Sequence, residues 1–315
     1  MAVLTPLFEP EASKPKSRLS EIGSNAVLLN NFHLSTLILL GCTLQGLLTY
    51  SLLALHLRTL SLLSLLLPVC ILTYRGLDVL LILQGWRKNR YMRDIIPGRV
   101  SAQVPDEKGE FGTEPSRETV VVLLLGLRTN HPLGILSPGF TKMKDLFIDM
   151  TRDMEERREE FEFLGTTSWL SISDRTSASE LLNIYYFRSM RGLHTFAHAK
   201  YHARGMVWWA TNKKYHPDIS IMHETYEAGR GCWENVYVNY HRSGFGSVSY
   251  PVKVPLPLEN GDGDGHVDTA TGGERGKEGE ATVKMETRWI SPLVDASKPD
   301  MRTRANRMGR NEREN

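Results

Sequence analysis

The sequence predicts an α+β chain, a ferredoxin-like domain preceded by a two-helix transmembrane hairpin. Three observations carry this. Two long apolar runs, Leu34 to Leu57 and Leu60 to Leu83, stand almost end to end. Strand-like and helix-like patterns then alternate as β-α-β-β-α-β between residues 118 and 247. Most titratable and aromatic groups with chemical potential crowd into one stretch of that region, Met190 to Tyr240.

Residues 1–33 are polar, with Pro6, Pro10 and Pro15, and read as a flexible lead. The first apolar run holds no formal charge beyond a possible one on His56. It is long enough to cross a hydrocarbon core of roughly 30 Å. The second run carries Arg75 and Asp78, neighbours on a helix face and expected to neutralise each other. Only Arg58 lies between the runs, whereas Lys14, Lys16 and Arg18 precede them and Arg87, Lys88, Arg90 and Arg93 follow. The positive-inside rule then puts both ends in the cytosol, as for a multi-pass protein of the endoplasmic reticulum. A cleaved signal peptide fits poorly, because the apolar run is too long and a long polar segment precedes it.

Residues 85–117 read as a linker rich in Pro, Gly and charge. Thr119 to Leu127 is a continuous apolar, β-branched run that suits a buried central strand. Phe140, Met143, Phe147, Met150 and Met154 recur at helical spacing, as expected for a helix packed on a sheet. Phe163 to Ile172 and Leu181 to Arg188 read as strands, Met190 to Asn212 as the second helix, and Ile219 to Tyr226 and Trp233 to Tyr240 as further strands. A sheet with helices on one face needs its other face covered, and two such sheets facing each other would make a homodimer. Residues 248–315 lose periodicity and read as a disordered tail, in which GDGDG lacks the spacing and final glutamate of a calcium loop.

Composition removes several function classes. A net charge of +2 with scattered basic residues gives no footprint for nucleic acid. The three cysteines, Cys42, Cys70 and Cys232, supply neither a disulfide framework nor a four-cysteine zinc site. There is no phosphate-binding G-x-x-x-x-G-K-[ST] and no G-x-G-x-x-G after a strand.

Within Met190 to Tyr240, His194, His198 and His202 recur every four residues. On one helix each step rotates by about 40°, so the outer two cannot easily share an ion, and no glutamate stands between them to act as base. The stripe therefore reads as a pocket wall in which His198 and His202 bind substrate. Ligation of haem or a metal through His194, His198 or His202 is the rival. His223 shares a strand face with Ile219 and Ile221, the setting for a general base. Trp233, Asn235 and Tyr237 share another face, where Asn235 and Tyr237 could bind a developing oxyanion and Trp233 the substrate skeleton. Trp209 closes the second helix and lines the same space.

The runs LHTFAHAKYHARGMVWWA, MHETYEA and WENVYVNY on this topology resemble fungal monooxygenases of secondary metabolism, of the antibiotic-biosynthesis monooxygenase type. The resemblance covers residues 118–247, and the hairpin resembles the membrane-bound branch that serves fumagillin biosynthesis. It implies a dimeric α/β barrel and insertion of oxygen into a lipophilic terpenoid or polyketide intermediate. It also implies catalysis without flavin, haem or metal. It assigns no catalytic residues, so His223, Asn235 and Tyr237 stand on the residues alone. A non-catalytic, membrane-tethered ligand-binding module is the rival from another class.

Overall fold

The computed structural model describes residues 3–13, 31–171, 180–255 and 285–310. Lys14, Lys16, Arg18 and the GDGDG run lie outside them. The two apolar runs form α1 (Leu34–Ala54) and α2 (Arg58–Leu83), both long and apolar enough to cross a membrane by length and composition. His56, at φ 57°, turns the chain between them. Their one polar clasp among the described residues is Gln45, whose Nε2 donates to Ser64 Oγ at 3.2 Å and to Ser64 O at 3.3 Å. Asp78 does not pair with Arg75. The chain turns back after α2, at Gly85 (φ 73°), and brings Arg87 and Arg90 onto the buried Asp78 carboxylate, Arg90 at 3.0 Å. Arginines beyond the helix end reach the carboxylate while keeping their charged heads in water, which Arg75 in mid-helix cannot do.

The central sheet comprises β2 (Val120–Thr129), β3 (Phe163–Leu170), β4 (Leu181–Phe187) and β5 (Ile219–Ala228), antiparallel in the order β3-β4-β2-β5. With α3 (Pro138–Glu156) between β2 and β3 and a helical layer between β4 and β5, this is the ferredoxin-like order. Alternation along β2 sorts the core. Val121, Leu123, Leu125 and Leu127 face the helices, where Phe140, Met143, Phe147 and Met154 of α3 meet them.

The second helix is not continuous. It divides into α4 (Met190–Ala197) and α5 (Lys200–Asn212), with Ala199 extended between them. Ser189 Oγ accepts from Gly192 N to start α4, and His198 ends it. Gly192 lies so close to the Phe161 carbonyl that a Cβ would come within 2.3 Å, which fixes where α4 sits.

Three readings of chain segments need correction. Residues 85–117 are not simply a linker, for β1 (Ile95–Ala102) is the centre of a second sheet in the order β6-β1-β9, with β6 (Tyr237–His241) and β9 (Leu293–Asp295). The stretch 248–315 is not a disordered tail throughout. It supplies β9, the antiparallel pair β7 (Tyr250–Pro255) and β8 (Met285–Ile290), and the short helices α6 (Pro299–Arg302) and α7 (Arg304–Arg307). Nor are residues 3–13 a loose lead: Leu4 is buried and Leu7 N donates to Leu293 O at 2.9 Å. Each piece is short, and most find partners far away in sequence: β1 pairs with β6 and β9, and residues 3–13 bridge to β8 and β9, whereas β7 and β8 pair with each other.

These added elements pack on the sheet face opposite the helices. Val120, Val122, Ile184 and Tyr186 join Phe245, Val248, Tyr250 and Leu293 in a second core. The chain thus covers half of the face that the sequence reading left for a second copy. The other half, the row Trp169–Leu182–Gly126–Met222, stays open, as does Tyr226 four residues farther along β5, and Trp169, Met222 and Tyr226 are 42%, 44% and 55% exposed.

Candidate active site

The polar groups gather on the helix-facing side of the sheet. Register places Ser168, Asn183, Leu125 and His223 side by side across β3, β4, β2 and β5. The adjacent row is Thr166, Tyr185, Leu123 and Thr225. Asn183 is fully buried. Its Oδ1 accepts from Ser168 Oγ at 2.5 Å, while its Nδ2 has no hydrogen-bond partner, and neither has Thr166 Oγ1. Burying an amide donor unpaired costs about 1–3 kcal/mol, so its retention at a sheet position that Leu would fill calls for a use. Tyr185, wholly buried beside it, bonds Thr151 of α3, and burial pushes its hydroxyl up to about 12.

The helical layer brings histidines to this row. His202, half-buried in the first turn of α5, places Nδ1 2.7 Å from the Ala197 carbonyl, and its ring meets Phe196 edge-on at 5.3 Å. A carbonyl only accepts, so Nδ1 carries the proton and Nε2 keeps its lone pair. Burial lowers the pKa of His202; the Ala197 carbonyl pushes it partly back up, and the charges of His198 and His223 add smaller lowering contributions. His198 and His223 are thus near enough for their charges to act on it. His198 Nδ1 bonds the His194 carbonyl at 2.8 Å, which leaves its Nε2 unprotonated in the neutral ring by the same logic. The result is a neutral imidazole, shielded on one side and basic on the other.

The sequence-predicted site therefore divides in two. Half-buried His202 lies within charge range of His198 and His223, both of which are exposed. Trp209 packs nearby on the helix side, against Leu127, Phe140 and Ile219. Trp233, Asn235 and Tyr237 do not join them; Trp233 and Tyr237 pack on the second core across the sheet, and Asn235 bonds to β1. Asn235 spends both side-chain atoms on Ala102, accepting from its N at 2.6 Å and donating to its O at 3.0 Å. It stands in for a rung of β-ladder. Tyr237 Oη accepts from Gly246 N at 2.9 Å, and burial pushes its pKa up. Trp233 Nε1 donates to Glu118 O at 2.7 Å, with its ring edge-on to Phe245. All three have their polar atoms satisfied as structural groups.

The three-histidine stripe is also broken. The interruption at Ala199 separates His194 on α4 from His202 on α5, and among the described residues no three His, Cys, Asp or Glu side chains form a metal-binding group. Asn183 escaped sequence reasoning. Its signal was a lone amide at an inward position of the run LLNIYYF, where alternation calls for an apolar side chain.

Residues 120–245 match the family model described as Monooxygenase af470-like. The whole chain is similar to Monooxygenase af470 of Aspergillus fumigatus, at 29% identity over 313 residues, which cover 98% of each chain. Among solved structures, a mutant of SnoaB, a cofactor-independent oxygenase from Streptomyces nogalater, aligns at 8% identity with a TM-score of 0.24. That alignment covers 34% of this chain and 90% of that one. An aldoxime dehydratase in complex with butyraldoxime aligns at 13% identity and a TM-score of 0.24, over 45% of this chain and 34% of that one. Likenesses this faint carry no weight for the chemistry.

Proposed function

The domain of residues 120–245 belongs to the af470-like monooxygenase family, and on that premise we propose a membrane-anchored enzyme that oxidises a lipophilic terpenoid or polyketide intermediate without a bound cofactor. One observation supports this best. Asn183, on the helix-facing side of the sheet, keeps an unpartnered Nδ2, and His202, with an unprotonated Nε2, packs on Phe196 of the core that covers that side. Asn183 and His223 lie two strands apart, about 10 Å, a span suited to a fused-ring or terpenoid skeleton.

His202 takes a proton from an acidified C–H of the substrate, and Asn183 Nδ2 donates to the oxyanion of the resulting enolate. The carbanion centre passes electrons to dioxygen and forms a C–O bond. The imidazolium of His202 returns its proton to the peroxide, and loss of water leaves a carbonyl. The balance is CH2 plus O2 giving C=O plus H2O, so no external reductant enters. His198 and His223 orient the substrate, and Trp209 lines the apolar end.

The assay is oxygen uptake by the full chain in vesicles, with a chelator present, using labelled dioxygen and candidate anthrones and oxidised sesquiterpenes. Expected is one dioxygen consumed per product, one labelled atom in product and one in water, with no added reductant. Uptake that needs a nicotinamide cofactor, or a metal restored after chelation, would sink the cofactor-free reading.

In the same reading, α1 and α2 anchor the chain in the bilayer with the domain facing the cytosol, as in the endoplasmic reticulum. A second copy covers Trp169, Met222 and Tyr226. Light scattering of the chain in detergent is expected to give a dimer, and Tyr226→Asp with Met222→Asp a monomer; wild-type monomer would remove the pairing.

A further inference from the structure

We infer that one end of the monooxygenase domain rests on the bilayer surface through two loops, residues 131–136 and 213–217, with an apolar rim and a basic fringe. The inference builds on the hairpin being a membrane anchor. It starts from Asn31, three residues ahead of α1. Asn31 Nδ2 donates to Leu133 O at 3.2 Å, and Asn31 Oδ1 accepts from Ile135 N at 2.9 Å. Between these two partners sits Gly134, at φ +58°, where a Cβ would come within 1.8 Å of Asn31 Oδ1. The chain entering the first apolar helix is therefore clamped to this loop.

Three residues span at most about 11 Å, so the loop cannot stand far from the start of α1. The polar region on each side of a hydrocarbon core is itself about 5–8 Å deep. Within that reach the loop presents Leu133 and Leu136, 55% and 54% exposed. The second loop lies against the first: Asn130 N donates to Asp218 O at 2.7 Å, and the His216 ring fills the space beside Gly139. It presents Tyr215, 66% exposed, with Lys213 and Lys214 also exposed, and Lys214 Nζ lies 4.8 Å from the Tyr215 ring centroid. Leucines with a tyrosine, fringed by lysines, suit an interface with anionic headgroups.

The same end of the domain holds an apolar cluster in which Phe140 and Ile219 are buried and Ile135, Trp208 and Trp209 pack against them. Ile219 is four residues along β5 from His223, about 13 Å. A molecule dissolved in the bilayer would thus meet the helix-facing side of the sheet from its apolar end, without crossing bulk water.

The test uses the full chain in vesicles of phosphatidylcholine and phosphatidylserine containing a phospholipid with a photoreactive group near its glycerol. After illumination, mass spectrometry maps the labelled peptides. Label is expected on peptides 131–137 and 213–217 as well as on the hairpin. Leu133→Asp with Leu136→Asp is expected to cut labelling of the first loop about tenfold or more, with an unchanged melting profile. Label on the hairpin with none on the loops overturns the docking and leaves the anchor standing. A chain washed off the vesicles by alkaline carbonate, with no label at either place, overturns both.

Discussion

Replacing His202 by alanine will lower kcat/KM by about 10²–10⁴-fold, the usual loss when a positioned proton acceptor is removed. Four features meet in His202, and its burial and ring contact set it apart from exposed His198 and His223. The Ala197 carbonyl fixes its tautomer, Phe196 holds its ring, burial lowers its pKa, and its Nε2 is left basic. The pH profile tests the assignment independently. A base works in its deprotonated form, so kcat/KM rises with pH and levels off above the pKa of His202. Because that pKa is lowered, the acid limb falls below the ordinary histidine value of about 6.5.

His223 contributes to the lowering as a nearby like charge. His223→Ala should therefore move the acid limb upward and weaken KM more than kcat. If His223→Ala abolishes turnover while His202→Ala spares it, the two exchange roles and His223 is the base, as its place on an apolar strand face suggested.

What was legible in the sequence, and what was not, follows from the range over which each signal acts. The order of strands and helices in the central sheet, and the two apolar runs, were readable because each repeats a pattern over many consecutive residues. The nearness of His202 to His223 was half readable: helical spacing and strand alternation gave each a face, and the two lie within charge range of each other. Alternation placed Trp233, Asn235 and Tyr237 together as well, but it could not say which sheet they would join. Asn235 pairs with Ala102, more than a hundred residues away. A side chain that replaces a backbone rung looks the same in sequence as one that binds a substrate. The break at Ala199 was also hidden, since nothing in AHAKYH breaks a helix by composition. Likewise β1 and β9 find each other from opposite ends of the chain, and short strands such as these, β7 and β8 carry almost no local period.

The sharpest separation of site from scaffold comes from two asparagines. Asn183→Leu removes an unpaired buried amide, a gain of about 1–3 kcal/mol, and gives up one hydrogen bond from Ser168, a loss of about 0.5–1.5 kcal/mol. The variant should therefore melt at or above the wild-type temperature. Yet removing a preorganised oxyanion donor costs about 10²–10³ in kcat. Asn235→Leu should do the reverse. It breaks the side-chain bonds to Ala102 and Ser101, strands the Ala102 backbone groups, and should cost about 2–4 kcal/mol of stability, with kcat/KM of the folded fraction unchanged. Thermal melts paired with oxygen uptake measure both. A destabilised Asn183→Leu that keeps full turnover would return Asn183 to the scaffold, and with it the site drawn on the helix-facing side of the sheet. A stable, inactive Asn183→Leu is the pattern of a group held at the expense of stability for chemistry, because nothing in the fold needs that amide.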